Sequence, residues 1–176
     1  MSSGAATSIA IIGGGIGGLA AAASLLRAGF DVHVYEQARA LSEVGAGINV
    51  GPNATRILHR FGVADQLARN GVRPQTFDQR RWDDGRYLLR SPLGEAVETT
   101  FKSPYYTLHR GDLHRAIAAA VPADRVHLDH RFTHLVDHGD RVEAHFENGA
   151  SISADALIGA EAGQLRGGDR RGQLAP

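Results

Sequence analysis

Gly13, Gly15 and Gly18 stand in the spacing G-x-G-x-x-G, with Gly14 and Gly17 beside them, and an acid, Glu36, follows eighteen residues after the last. The spacing alone says little in a chain that holds 22 glycines. Its chemistry is specific only in context. A glycine at the first position permits a tight turn. A glycine at the second lets backbone approach a pyrophosphate with no Cβ in the way, and one at the third lets a helix pack closely on a strand. A helix N-terminus placed there offers unpaired N–H groups and partial positive charge to an anion. An acid at the end of the following strand can accept hydrogen bonds from both hydroxyls of a ribose.

The elements that such a cradle needs are present. Ser8 to Ile12 (SIAII) is a short unbroken apolar run, as expected of a strand buried on both faces of a parallel sheet. LAAAASLLRAG then reads as a helix closing at Gly29, and Phe30 to Tyr35 (FDVHVY) as a second strand ending at Glu36. This is a βαβ unit of about 30 residues, with its second strand parallel to its first through a right-handed crossover. Dinucleotide binding follows; nicotinamide and flavin proteins share the fingerprint.

Beyond it, VGAGINVGPN reads as a glycine-rich loop, and Pro52 opens a helix that runs to Gly62. Residues 73–106 are strand-like and irregular, with turn signals at Asp84-Gly85 and Ser91-Pro92. A helix begins near Arg110 and is ended by Pro122. Val126 to Leu128 is a short strand. Arg131 to Val136 and Arg141 to Phe146 flank the turn DHGD, Asn148-Gly149 makes another hairpin turn, and a last strand runs to Ile158.

The composition is that of an ordinary globular domain, with 43% hydrophobic and 22% charged residues. Lys plus Arg equals Asp plus Glu at 19 each, so no net field favours nucleic acid or anionic lipid. There is no cysteine, which removes disulfides, thiolate metal sites and cysteine nucleophiles. The first residues have no basic stretch and the apolar run breaks at Gly13, which argues against a signal peptide or a membrane span and for the cytoplasm.

Three segments together, IIGGGIGGLAAAASLLRAGFDVHVYEQ, VGAGINVGPNA and LHRGDLHRAI, resemble the flavin-dependent aromatic hydroxylases, most nearly the 6-hydroxynicotinate and salicylate monooxygenases. The resemblance implies an α/β, Rossmann-like FAD/NAD(P)-binding fold with a parallel sheet, a βαβ start and a β-meander. It implies FAD as cofactor, NAD(P)H as co-substrate, and O₂ with a small aromatic acid as the reacting partners. The loop through Gly45, Ala46, Gly47 and Ile48 would pass beside the flavin ring. Arg110 would reach the pyrophosphate held by Gly13, Gly15, Gly17 and Gly18. Gln37 would sit beside Glu36 at the adenosine end. Phe132 would contact the adenine region through its backbone, although its alternation also fits a core position. Asn49 stands where hydroxynicotinate-using relatives carry a histidine, and an amide does not titrate. A phenolic acid such as salicylate is then at least as good a substrate. No residue is named as the catalytic acid or base.

His127, His130, His134 and His138 recur three to four apart, but on a strand-like stretch that spacing gives no single face, so no metal is expected. Arg110-Gly111-Asp112 is read as a helix start, not an adhesion motif. Trp82 and Tyr87 fit either a sheet excursion toward substrate or plain core packing.

The resemblance divides the chain into an FAD-binding domain at 1–72 and 107–162, an excursion at 73–106 belonging to the substrate-binding sheet, and an irregular tail at 163–176. Its family pattern places Asp-Gly where this chain has Glu161 and Ala162. The expectation is that the chain is the N-terminal half of a hydroxylase and that the tail is not native family sequence. Two alternatives stand beside it. One is a non-catalytic nucleotide-binding remnant, which would self-associate through uncovered apolar surface. The other is an NAD(P)-binding dehydrogenase domain.

Overall fold

The computed structural model describes residues 6–41 and 45–161. They fall into two compact units, one holding 6–41 with 117–161 and the other 45–116.

In the first unit, β1 (Ser8–Ile12), helix α1 (Ile16–Arg27) and β2 (Asp31–Tyr35) form the expected βαβ start, with β1 and β2 parallel in the register Ile9↔Val32 to Ile12↔Tyr35. Gly29, just past the helix, has φ +90°, the left-handed conformation that ends helices at glycine.

The second unit opens with β3 (Gly47–Val50) and α2 (Pro52–Arg60), followed by α3 (Ala64–Asn70). The segment read as a glycine-rich loop is therefore a strand. It pairs antiparallel with β6 (Tyr106–His109), Asn49 opposite Thr107. Pairing across nearly sixty residues overrides the local turn signal. Between them, β4 (Thr76–Arg80) and β5 (Tyr87–Pro92) form a two-stranded hairpin, and Gly85 takes φ +70° in its turn. Ser91-Pro92 is not a turn but the end of β5. Residues 94–101, expected to be irregular or extended, form α4 (Gly94–Phe101). α5 (Arg110–Ala118) begins where the sequence places it.

The chain then adds β7 (Val126–His127), β8 (Phe132–Asp137), β9 (Val142–Phe146), β10 (Ser151–Ala154) and β11 (Ala156–Gly159), all in the first unit. The last expected strand is thus two. Asp155 breaks it: β10 completes the meander β10-β9-β8, while β11 pairs parallel with β1 in the sheet β11-β1-β2-β7. Asp155 fixes the corner, its carboxylate accepting from the Ser8 N–H (2.7 Å) and hydroxyl (3.0 Å).

Three layers result in this unit. Ala10, Ile12 and Tyr35 point to one face of the parallel sheet and pack with Ala144, Phe146 and Ala154 of the meander. Ile9, Ile11, Val32 and Val34 alternate with them on the other face, and α1 lies against β1 and β2 with Leu19, Ala22 and Ala23 buried. β1 ends at the centre of this sandwich, and the chain turns there through Gly13. Among the described residues no helix is long and apolar enough to cross a membrane.

Candidate functional site

The turn after β1 is built as the glycine spacing requires. Gly13 has φ +110°, and its N–H donates to the Tyr35 carbonyl at 2.8 Å, tying the turn to the end of β2. A Cβ at Gly18 would lie 1.9 Å from the Gly13 carbonyl oxygen, so any side chain there would force helix and strand apart. Gly15 is the N-cap of α1; no side chain caps the helix, and its first turn holds no acid. The positive end of the helix is thus left to something outside its own sequence. At Gly17 a Cβ would meet nothing within 4 Å, so this glycine answers no packing need of the chain itself and leaves the mouth of the turn open.

Glu36 closes one side. Its Oε2 accepts from the Gly14 N–H at 2.6 Å and its Oε1 from the Ala38 N–H at 2.8 Å. Each oxygen keeps a second lone pair, so the carboxylate can still accept from hydroxyls. Gln37 follows, and its buried Oε1 has no hydrogen-bond partner among the described residues. An open polar cleft of about 360 Å³ lies beside it, lined by Gln37, Arg39, Asp129, Arg131, Glu147 and Asn148. Most of these lie in loops that meet only through the sheet, and no local pattern could single them out. Asp129 even takes φ +59°, a conformation unusual for a residue with a side chain.

Glu161 closes the other side. The Ala160 N–H donates to the Ile12 carbonyl at 2.7 Å, which extends the β11–β1 ladder to the turn. A Cβ at Gly13 would lie 2.8 Å from Glu161 Cγ, so the two are packed tightly. Oε1 of Glu161 is buried without a partner among the described residues. Burial raises its pKa above the usual glutamate range; the Glu36 charge adds to this and Arg131 opposes it. Ala162 and the tail at 163–176 lie outside the described residues.

Phe132 is partly buried and packs against the meander core, its ring edge-on to Phe146 at 6.5 Å, so its side chain serves packing. The histidines are dispersed. His127 stacks on Tyr35 and His130 meets the same ring at a tilt, His134 lies flat on His145 across the hairpin, and His138 meets Glu143 at 3.3 Å. Burial first, then the neighbouring His33, lowers the pKa of His127.

In the second unit the structure brings the GAGI segment onto Arg110. The Arg110 N–H donates to the Ala46 carbonyl at 3.2 Å, and a Cβ at Gly45 would lie 3.0 Å from the Arg110 side chain. Glycine at 45 thus lets the backbone pass over the arginine's aliphatic stem. At Gly47 a Cβ would meet only the Leu108 oxygen, at 4.0 Å, so its surface too is left uncovered by the strand's partner. The Asn49 Oδ1 accepts from the Thr107 hydroxyl at 2.8 Å, which orients the amide across the β3–β6 pair. Trp82, by contrast, is 95% exposed, so core packing does not explain it. The guanidinium groups of Arg80 and Arg90 both lie over the Tyr87 ring, at 4.0 and 4.6 Å.

A family described as the FAD binding domain matches residues 6–166, over nine-tenths of the chain. The chain belongs to the FAD binding domain family. It is 43% identical to 6-hydroxynicotinate 3-monooxygenase of Bordetella bronchiseptica, over 87% of this chain and 40% of that protein. It is 42% identical to 3-amino-4-hydroxybenzoate 2-monooxygenase of Streptomyces cremeus, over 87% and 39%. Among solved structures, HpxO of Klebsiella pneumoniae complexed with FAD and uric acid superposes with a TM-score of 0.75 at 28% identity, covering 86% of this chain and 38% of that one. The chain spans about 40% of the length of the curated relatives it matches. Within this FAD-binding domain the uncapped helix, the glycine turn and the Glu36 carboxylate fit a flavin dinucleotide's pyrophosphate and ribose.

Proposed function

We propose that this chain is the FAD-binding portion of an NAD(P)H-dependent monooxygenase that hydroxylates an aromatic acid of the salicylate or hydroxynicotinate class. The observation that carries it is the turn at Gly13 to Gly18, shaped for close approach of an anion and opened at Gly17, with Glu36 at its side. The α1 N-terminus and the turn's amides hold the pyrophosphate, and Arg110 adds a full positive charge to it. Glu36 accepts from the ribose hydroxyls, and Gln37 with the polar cleft receives the adenosine end. The flavin, when bound, supplies the electron transfer and oxygen activation; the protein's share is to fix its position and keep water away. Gly47 allows the backbone to lie against the ring, and Asn49, held by Thr107, presents an oriented amide next to it. Phe132 contributes backbone at the adenine. Domain boundaries at 1–72 and 107–162, with an excursion at 73–106, belong to this proposal, as does a cytoplasmic location.

The test is flavin binding by the full chain. Titration with FAD, followed by quenching of flavin fluorescence, is expected to saturate at one FAD per chain. Arg110→Ala weakens it about tenfold to a hundredfold, as expected for a charge-assisted hydrogen bond of about 1.5–3 kcal/mol. No binding at any FAD concentration overturns the proposal. A second reading, a nucleotide-binding module that performs no chemistry, is favoured by one observation: the Glu161 side chain set against the glycine turn, its Oε1 buried without a partner among the described residues. Its signature is flavin binding without NAD(P)H-dependent oxygen consumption on any aromatic acid.

A further inference from the structure

We propose that Glu161 is a proton-operated gate on the phosphate cradle: with its carboxyl protonated the turn accepts a dinucleotide's pyrophosphate, and with it ionised the turn repels the anion. The inference rests on the flavin reading above and adds a regulation to that site.

The geometry places the carboxylate where it must act. β11 leads into Glu161, whose Cγ would lie 2.8 Å from a Cβ placed on Gly13, one residue from the Gly14 amide that Glu36 already holds. Among the described residues the groups facing it are few. From the end of β2 comes Glu36, of like charge; from the segment before β8 comes Arg131, of opposite charge; the glycine turn itself has no titratable group. Arg131 is shared, since its Nε lies 3.3 Å from the Glu147 carboxylate. Ionised Glu161 therefore has a buried oxygen that no donor among the described residues satisfies. Such a group favours its neutral form, because the lost hydration is not replaced. Burial, the Glu36 charge and the weaker opposing Arg131 all enter the direction of its shift, which is upward.

On the flavin reading, a pyrophosphate held by the glycine turn adds a further negative charge beside this carboxylate. Protonation of Glu161 and anion binding then reinforce one another, so binding takes up a proton from solvent. Affinity for the anion falls as pH rises above the pKa of Glu161 in the free chain, by up to tenfold per pH unit until the bound-state pKa is passed.

The experiment is FAD titration of the full chain at pH 5.5 and pH 8.0, for the wild type and for Glu161→Gln, which keeps the shape and removes the charge. The wild type is expected to bind at least fivefold more tightly at the lower pH. Glu161→Gln is expected to vary less than twofold and to bind at pH 8.0 at least as tightly as the wild type does at pH 5.5. Equal pH dependence in the two proteins overturns the gate and leaves the flavin reading standing. Absence of flavin binding by both at either pH overturns both. A ¹³C carboxyl titration of the ligand-free wild type reads Glu161 directly: a midpoint above the ordinary glutamate range supports the gate, and an ordinary midpoint overturns it whatever the flavin does.

Discussion

The turn at Gly13 and the hairpin β4–β5 are both short, polar-tipped connections, yet they are held in different ways. Apart from its open mouth at Gly17, the turn is clamped by its neighbours. Gly13 bonds to the end of β2, Gly18 touches the Gly13 carbonyl, and β11 runs past at the Ile12 carbonyl. Beneath it Ile11 and Ile12 are fully buried. The hairpin is held by its own ladder and by surface charge: Arg90 with Asp78 at 3.0 Å, Arg81 with Asp83, and arginines about Tyr87. Its apolar side chains Phe77, Trp82, Leu88 and Leu89 are exposed. Exposed ion pairs are each worth about 0–1 kcal/mol, whereas a buried aliphatic side chain is worth about 2–5 kcal/mol when truncated. A turn of the first kind is fixed by sterics and so can hold a cofactor atom by atom. A hairpin of the second kind is fixed only locally, and its apolar surface is left for other contacts.

Substitutions can break or sharpen that contrast. The largest effect is expected at Gly18→Val, where the new side chain meets backbone that cannot yield. It should cost about 3 kcal/mol or more, lower the melting temperature by roughly 6–12 °C, and abolish flavin binding. If flavin binding survives, the turn is less rigid than its packing indicates. Ile11→Ala, beneath the turn, should cost about 3 kcal/mol by thermal melting while leaving the glycine turn's shape intact.

Asp155→Ala comes next and carries a pH signature. Hydrogen bonds from Ser8, first from its N–H and then its hydroxyl, hold the Asp155 carboxyl below the usual carboxylate range. A depressed folded-state pKa stabilises the fold above the unfolded-state value and loses that stabilisation as pH falls through the folded-state value. The variant should therefore melt lower than the wild type at neutral pH. The difference should close as pH falls below the ordinary aspartate range; a difference independent of pH would assign the effect to something other than the carboxylate. The smallest effect is expected at Trp82→Ser in the hairpin, within about 0.5 kcal/mol by denaturant unfolding, because the ring is almost wholly exposed. A cost like that of Ile11→Ala would show that the ring is covered in solution, and the contrast between the two regions would fall.

The same contrast explains what could be read in the residues. The βαβ start, the helix opening at Arg110, the meander and the glycine cradle were legible because each depends on neighbours in sequence: apolar period, caps and backbone sterics. The segment 47–50 was misread as loop because its strand pairing is made with residues 106–109, far along the chain. α4 was missed because none of its residues is buried, so no apolar period marks it. The meeting of Gly45 with Arg110 was not foreseen: the resemblance placed the loop beside the flavin ring and Arg110 at the pyrophosphate, and no local spacing joins them.

By itself, then, the sequence determined that a strand, a glycine turn and a helix would follow one another with Glu36 at the turn's edge, since the allowed backbone angles of glycine and the burial of SIAII leave little choice. Only the tertiary structure decided that Asp155 splits the final strand and that β11 lies beside β1. It also decided that Glu161 therefore presses on Gly13 with a buried, unpartnered oxygen. That placement joins the end of the described chain to its beginning, across about 150 residues. Such a contact is set by the packing of the whole sheet, and no window along the sequence contains it.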